Sequence, residues 1–196
     1  MKLNTPNLLT IARIFITPIF LAVILMDTLS HKFLIACIIF SIASITDAVD
    51  GHLARKNNQI TNFGKFLDPI ADKILTTSAL LAFMSMGLCN IWIIMIVLVR
   101  EFAIASVRMI AATNGVVIPA NIWGKIKTVS QMVFTILIML LGEVWEIISK
   151  INVSIFDKLP DLSLISNGLL WITAILTIIS GIIYLNDSKK IIDFTK

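Results

Sequence analysis

Between Ile74 and Val99 lie 26 consecutive residues without a charge, and the stretch from Leu162 to Asn186 is charge-free as well. A helix on the surface of a soluble domain turns a polar face to water every 3.6 residues, so uncharged runs of this length do not suit it. They suit a bilayer, whose hydrocarbon core takes roughly 20 mostly apolar residues per crossing helix. Whole-chain composition agrees: of 196 residues, 58% are hydrophobic and 14% charged, with a mean hydropathy of +0.95. Soluble domains are closer to about 45–50% apolar and 25% charged. The sequence therefore predicts an all-α integral membrane protein, built as a single domain over residues 1–196.

Six crossings follow from the spacing of charges and turns. The first helix runs from Leu8 to Met26, and Asp27–Lys32 forms a polar turn. Arg13 interrupts the apolar run and no small-residue cleavage site follows, so a retained helix is expected rather than a signal peptide. The second helix begins at Phe33. Its uncharged part ends at Thr46, which is too short to cross unless the helix continues through Asp47, Asp50 and Gly51. The long run after Ile74 is divided by Gly87-Leu88-Cys89-Asn90, a turn signal, into helices at Pro69–Met86 and Ile91–Ala111. Gly115 to Pro119 makes a loop, a fifth helix covers Asn121–Leu141, and a sixth covers Leu162–Asn186. The mixed segment Gly142–Asp161 receives no chemistry.

With six spans both termini share one side, and that side collects thirteen Lys and Arg residues against three on the other. The positive-inside rule then places the termini and the charged motifs in the cytoplasm, at the cell membrane. The formal charge of +4 is mild, and without basic clusters interleaved with aromatics no nucleic-acid partner is expected. Cys37 and Cys89 read as buried thiols, and the four Trp residues near helix ends as interfacial anchors.

The motif that needs explaining is DAVDGHLARKNNQITNFGKFLDPIAD, residues 47–72. Asp47 and Asp50 are three apart, Asp68 and Asp72 four apart, and on helices each spacing puts the pair on one face. Like charges so placed repel, and more strongly at membrane depth. One or two hard divalent cations, bound by carboxylates from two helices, resolve the repulsion. Gly51 and Ala54 allow close approach of a neighbour, Gly64 shares a helical face with Asp68 and Asp72, and Arg55 offers a forked donor to phosphate oxygens. The assembly reads as a metal-assisted pyrophosphate site, so that six helices surround a cytoplasm-facing polar site. A structural salt-bridge cluster is the plain alternative.

Asp47-x-x-Asp50-Gly51-x-x-Ala54-Arg55, eight residues, Gly64, three residues, Asp68, three residues, Asp72 fits the signature of the CDP-alcohol phosphatidyltransferase family without a gap. The resemblance implies a six-helix membrane homodimer that binds two divalent cations, Mg²⁺ or Mn²⁺. It implies transfer of a phosphatidyl group from CDP-diacylglycerol to an alcohol, with release of CMP. Carried onto these positions, Asp47, Asp50, Asp68 and Asp72 would ligate the metals, and Asp72 would also take the acceptor hydroxyl proton. Gly51, Arg55, Thr61 and Gly64 would meet CDP-diacylglycerol. Asn7, Thr10 and Arg13, in a stretch similar to the family's N-terminal one, would join them.

A second charged set comprises Arg100, Glu101, Arg108, Lys125 and Lys127. Arg100 falls where a helix should still be in the membrane, which is costly without a purpose. Four cations suit a phosphorylated acceptor. The competing reading has Glu101 neutralising an arginine and the lysines setting topology. The strings Val99-Arg100-Glu101-Phe102 and Gly124-Lys125-Ile126-Lys127-Thr128 resemble one branch of the family, in which sn-glycerol 3-phosphate is the acceptor and phosphatidylglycerophosphate the product. Cardiolipin synthases of the same family are the close rival. A divalent-metal transporter is the rival from another class, although it would ordinarily place its acids near the midplane of repeated halves.

Overall fold

The computed structural model describes residues 5–56, 62–113, 121–151 and 159–189, with side chains outside 5–7 and 47–69. All regular structure among them is helical: α1 Thr5–Leu25, α2 Lys32–Lys56, α3 Asn62–Ser85, α4 Ile91–Thr113, α5 Ile122–Ile151 and α6 Leu162–Lys189. The six expected helices are present, with bounds that differ at several ends. α3 starts at Asn62 and runs through Pro69, which sequence reading took as its first residue. α5 continues ten residues beyond Leu141, so half of the segment read as a mixed connection is helical. α6 extends to Lys189.

Among the described residues three helices, α1, α5 and α6, are long and apolar enough to cross a membrane. In α2 the apolar part is the shorter stretch Lys32–Thr46, and α4 carries Arg100, Glu101 and Arg108. Large apolar side chains point outward on the described helices, among them Phe15, Ile45, Trp92, Phe102, Val129 and Ile182. Such broad apolar exposure suits lipid rather than water. The chain is a membrane protein.

Two compact units divide the chain: residues 1–86 with 135–162, and residues 87–134 with 163–196. In the first, α1 packs on both α2 and α3. Phe20 and Phe40 meet in a tilted contact with ring centroids 5.7 Å apart, and the fully buried Ala36, Ala43, Ala71 and Ala79 let helix backbones approach closely. Because Arg13 meets Ala43 while the later Phe20 meets the earlier Phe40, α1 and α2 run antiparallel.

The start of α2 is capped from a distance. His31 adopts a left-handed φ of 61°, and its carbonyl accepts the first helical bond from the Ile35 amide. The exposed α2 amide of Leu34 donates to Glu143 Oε2 of α5 at 3.1 Å, while Glu143 Oε1 pairs with His31 Nδ1. A carboxylate there satisfies an orphan donor and meets the positive end of the helix dipole. Glu143 belongs to the segment to which sequence reading gave no role.

In the second unit, Asn90 Oδ1 accepts from the Trp92 amide and Asn121 Oδ1 from the Gly124 amide, capping α4 and α5. Ser166 at the start of α6 donates to the Leu88 carbonyl just before α4, and Tyr184 meets α4 near its end. α4 and α6 therefore run in the same direction. The buried face of α6 is a stripe of Ser166, Leu170, Thr173, Ala174, Thr177, Ser180 and Tyr184. The hydroxyls of Thr177 and Ser180 bond back onto the Thr173 and Thr177 carbonyls of their own helix, whereas the buried Thr173 hydroxyl has no partner among the described residues.

Candidate active site

Asp47, Asp50, Gly51 and Arg55 stand in the last three turns of α2, and Gly64, Asp68 and Asp72 in the first three turns of α3. The backbone at all seven is helical, so the three- and four-residue spacings of the acids are genuine helical spacings on two consecutive, contacting helices. The side chains of Asp47, Asp50, Arg55 and Asp68 and the surroundings of Gly51 and Gly64 lie outside the described residues, as does Thr61 altogether. Asp72 is described and half-buried. Fully buried Ala71 precedes it, and its carbonyl accepts the Thr76 hydroxyl at 3.0 Å. Among the described residues no group of three or more His, Cys, Asp or Glu forms a metal-binding cluster.

α1 brings a polar line to the same unit. Thr10, Arg13 and Thr17, spaced three and four apart, are all but fully enclosed. Arg13 Nε donates to the Ala43 carbonyl at 3.2 Å, one helical turn ahead of Asp47. Its backbone carbonyl in turn accepts the Thr17 hydroxyl at 2.9 Å. A guanidinium fixed inside a bundle is costly unless it serves an anion or a bonded network, and here it is anchored to the helix that carries two of the four acids. The Asn7 side chain lies outside the described residues.

The second charged set lies in the other unit. Glu101 Oε1 accepts from Arg100 Nη1 at 3.0 Å and from Lys127 Nζ at 2.8 Å, tying α4 to α5. Lys127 is buried and Arg100 nearly so. Arg100 threads a gap cleared by two glycines. A Cβ on Gly124 would stand 3.3 Å from its Nη2, and one on Gly181 would stand 3.2 Å from its Cγ. Its Nε is buried and has no hydrogen-bond partner among the described residues. Lys125 is exposed. The structure bears out the neutralising part of the competing reading, since Glu101 gathers Arg100 and Lys127 on one oxygen.

Arg108 is exposed, yet its Nε donates to the buried Tyr184 hydroxyl at 3.1 Å and its guanidinium lies 5.4 Å from the ring centroid. Sequence reading passed over Tyr184. The available signal was a lone tyrosine, the one in the chain, within an otherwise apolar run. Along α4 and α6 an apolar groove of about 440 Å³ is lined by Trp92, Met95, Ile178, Ile182 and Leu185, with Arg100 its one charged lining residue. Its size and lining suit a hydrocarbon chain.

Comparison with known proteins places this arrangement. The chain is 36% identical over 189 residues to the CDP-diacylglycerol–glycerol-3-phosphate 3-phosphatidyltransferase of Bacillus subtilis (strain 168), covering 91% of each chain. Similarity to the protein of the same name from Rickettsia felis is 38% over 188 residues, covering 95% of this chain and 96% of that one. The Haemophilus influenzae protein of that name is 37% identical over 194 residues, covering 96% and 95%. The family model for CDP-alcohol phosphatidyltransferases matches residues 3–179. That span takes in both charged sets and all but the last turns of α6, and the chain belongs to the CDP-alcohol phosphatidyltransferase family.

Proposed function

We propose that the protein transfers the phosphatidyl group of CDP-diacylglycerol to sn-glycerol 3-phosphate, giving phosphatidylglycerophosphate and CMP. The observation that carries this reading is the near full-length similarity to three enzymes named for that reaction. The helical backbone beneath the aspartate signature supports it.

The donor set suits hard divalent ions: four carboxylates, all oxygen ligands, at helical spacing on two contacting helices. In this reading Asp47, Asp50, Asp68 and Asp72 hold two cations, Mg²⁺ or Mn²⁺. When bound, the cations supply charge neutralisation for a diphosphate and for departing CMP. Gly51, Arg55, Thr61 and Gly64, with Asn7, Thr10 and Arg13, bind the nucleotide end of CDP-diacylglycerol. Asp72 accepts the proton of the acceptor hydroxyl. The hydroxyl oxygen bonds to the lipid-side phosphorus, and the bond from that phosphorus to the oxygen of CMP breaks, the electron pair leaving with CMP. No covalent enzyme intermediate is needed. Arg100, Arg108, Lys125 and Lys127 receive the acceptor phosphate, a dianion that a neutral amino alcohol would not replace. The protein works as one membrane domain of six spans and as a homodimer. Its termini and active site face the cytoplasm.

The test is CMP release from CDP-diacylglycerol in detergent with Mg²⁺ or Mn²⁺, supplying glycerol 3-phosphate, phosphatidylglycerol and serine in separate reactions. Release with glycerol 3-phosphate alone is expected, abolished by chelation and reduced at least 100-fold by Asp72→Asn. Release with phosphatidylglycerol instead would move the protein to the cardiolipin-forming branch.

A further inference from the structure

We infer that Tyr184 is a positioning residue for the acceptor, acting through Arg108. The inference rests on the acceptor reading above and adds to it a residue from a different helix. Three observations carry it. Tyr184 is 3% exposed and packs in a cluster with Ile104, Val107 and Ala111, so its ring has no freedom to follow a mobile partner. Arg108, by contrast, stands at the exposed edge of α4. The link between the two is specific: Nε donates to the phenol oxygen at 3.1 Å while the guanidinium lies 5.4 Å from the ring centroid.

The chemistry follows from the shape of the guanidinium, which carries five donors in a rigid plane. Binding through Nε fixes the orientation of that plane and uses one donor. The four N–H groups on Nη1 and Nη2 remain, and among the described residues none of them has a partner. This end of the fork matches two oxygens of a phosphate. An exposed arginine would ordinarily give up several rotamers to bind an anion, whereas one fixed at Nε loses less. Tyr184 therefore raises affinity for the anionic acceptor without touching it. Acceptors lacking a phosphate gain nothing from this arrangement, so the residue also contributes to selectivity.

Tyr184→Phe removes the hydroxyl and keeps the ring, its packing and the cation–π contact. The expected result is a KM for glycerol 3-phosphate raised about fivefold, with kcat within about twofold and the KM for CDP-diacylglycerol unchanged. In an Arg108→Lys background, where no Nε donor or planar fork exists, Tyr184→Phe should add nothing further. A merely structural tyrosine would behave otherwise: both KM values would shift together with a lower melting temperature, and the effect would persist in the Arg108→Lys background. That pattern, or a Tyr184→Phe enzyme with wild-type kinetics, would overturn the inference while leaving the reaction intact. CMP release by the wild-type enzyme with another acceptor only would overturn the acceptor reading and this inference together.

Discussion

Glu101 illustrates what a single residue reveals only in three dimensions. Its place next to Arg100 is plain in the sequence, but an adjacent pair on a helix does not face one another by spacing alone. The sequence therefore left two readings open, a cationic set for a phosphorylated acceptor, or an arginine neutralised by Glu101 beside lysines that set topology. What it did not contain was Lys127, 26 residues away, whose amine shares the same Oε1. Gly124 and Gly181 were likewise illegible as the two gaps that admit Arg100, because glycine gives no signal of what it makes room for. Cys89 was legible as a buried thiol, and its environment yields a pH prediction. Burial in the α3–α4 turn pushes the thiol up from 9.0 to about 12. The thiolate is thus disfavoured in the fold. The associated stability is complete below about pH 9 and is lost as pH rises toward 12. Iodoacetamide at pH 8.5 should leave Cys89 of the folded protein unmodified over a period in which the denatured protein reacts fully, as read by peptide mass. Equal modification of both would show that the turn opens readily.

At the scale of the element, the helices were readable and their ends were not. Leu141 looked like the end of α5 because Gly142, Glu143 and Glu146 follow it, a glycine and two acids that usually announce solvent. Each has a local reason to remain helical. Glu146 pairs with Lys150 one turn on at 2.6 Å, Glu143 turns inward to cap α2, and Gly142 makes room for Phe33. A Cβ at position 142 would stand 2.7 Å from Cδ1 and Cε1 of that ring, closer than real Cβ contacts come. Phe33 is itself buried, so the ring has nowhere ready to go. Gly142→Ala should therefore destabilise the protein by about 1–3 kcal/mol through overpacking, despite alanine's better helix propensity, worth about 1 kcal/mol in the other direction. The melting temperature in detergent decides the sign. A Phe33→Leu partner substitution, which shortens the obstructing side chain, should recover part of the loss. A Gly142→Ala protein that melts higher than wild type would mean that α5 and α2 are not held together at this point.

The whole molecule poses a counting problem, because among the described residues three of the six helices satisfy the apolar requirement. By composition alone, α1, α5 and α6 would be the crossings, an odd number that puts the two termini on opposite sides. The helix directions are those that the proposed six-span count requires. α1 and α2 are antiparallel between the Arg13–Ala43 and Phe20–Phe40 contacts, as the first and second of six spans would be. α4 and α6 run in the same direction between the Leu88–Ser166 and Arg108–Tyr184 contacts, as the fourth and sixth of six spans would. If all six helices cross, the charges on α2, α3 and α4 are the features a functional site requires at membrane depth. The asymmetry of thirteen basic residues against three follows from six spans and is scrambled by an odd count. Protease-cleavable tags placed before Met1 and after Lys196, in separate proteins, separate the two cases. With six spans, both tags are cut in inside-out vesicles and both are protected in intact spheroplasts. One tag cut in each preparation would establish an odd number of crossings. At least one charge-bearing helix would then have to lie along the membrane surface, and the cytoplasmic placement of the aspartate signature would have to be argued again from the side on which the N-terminal tag was found.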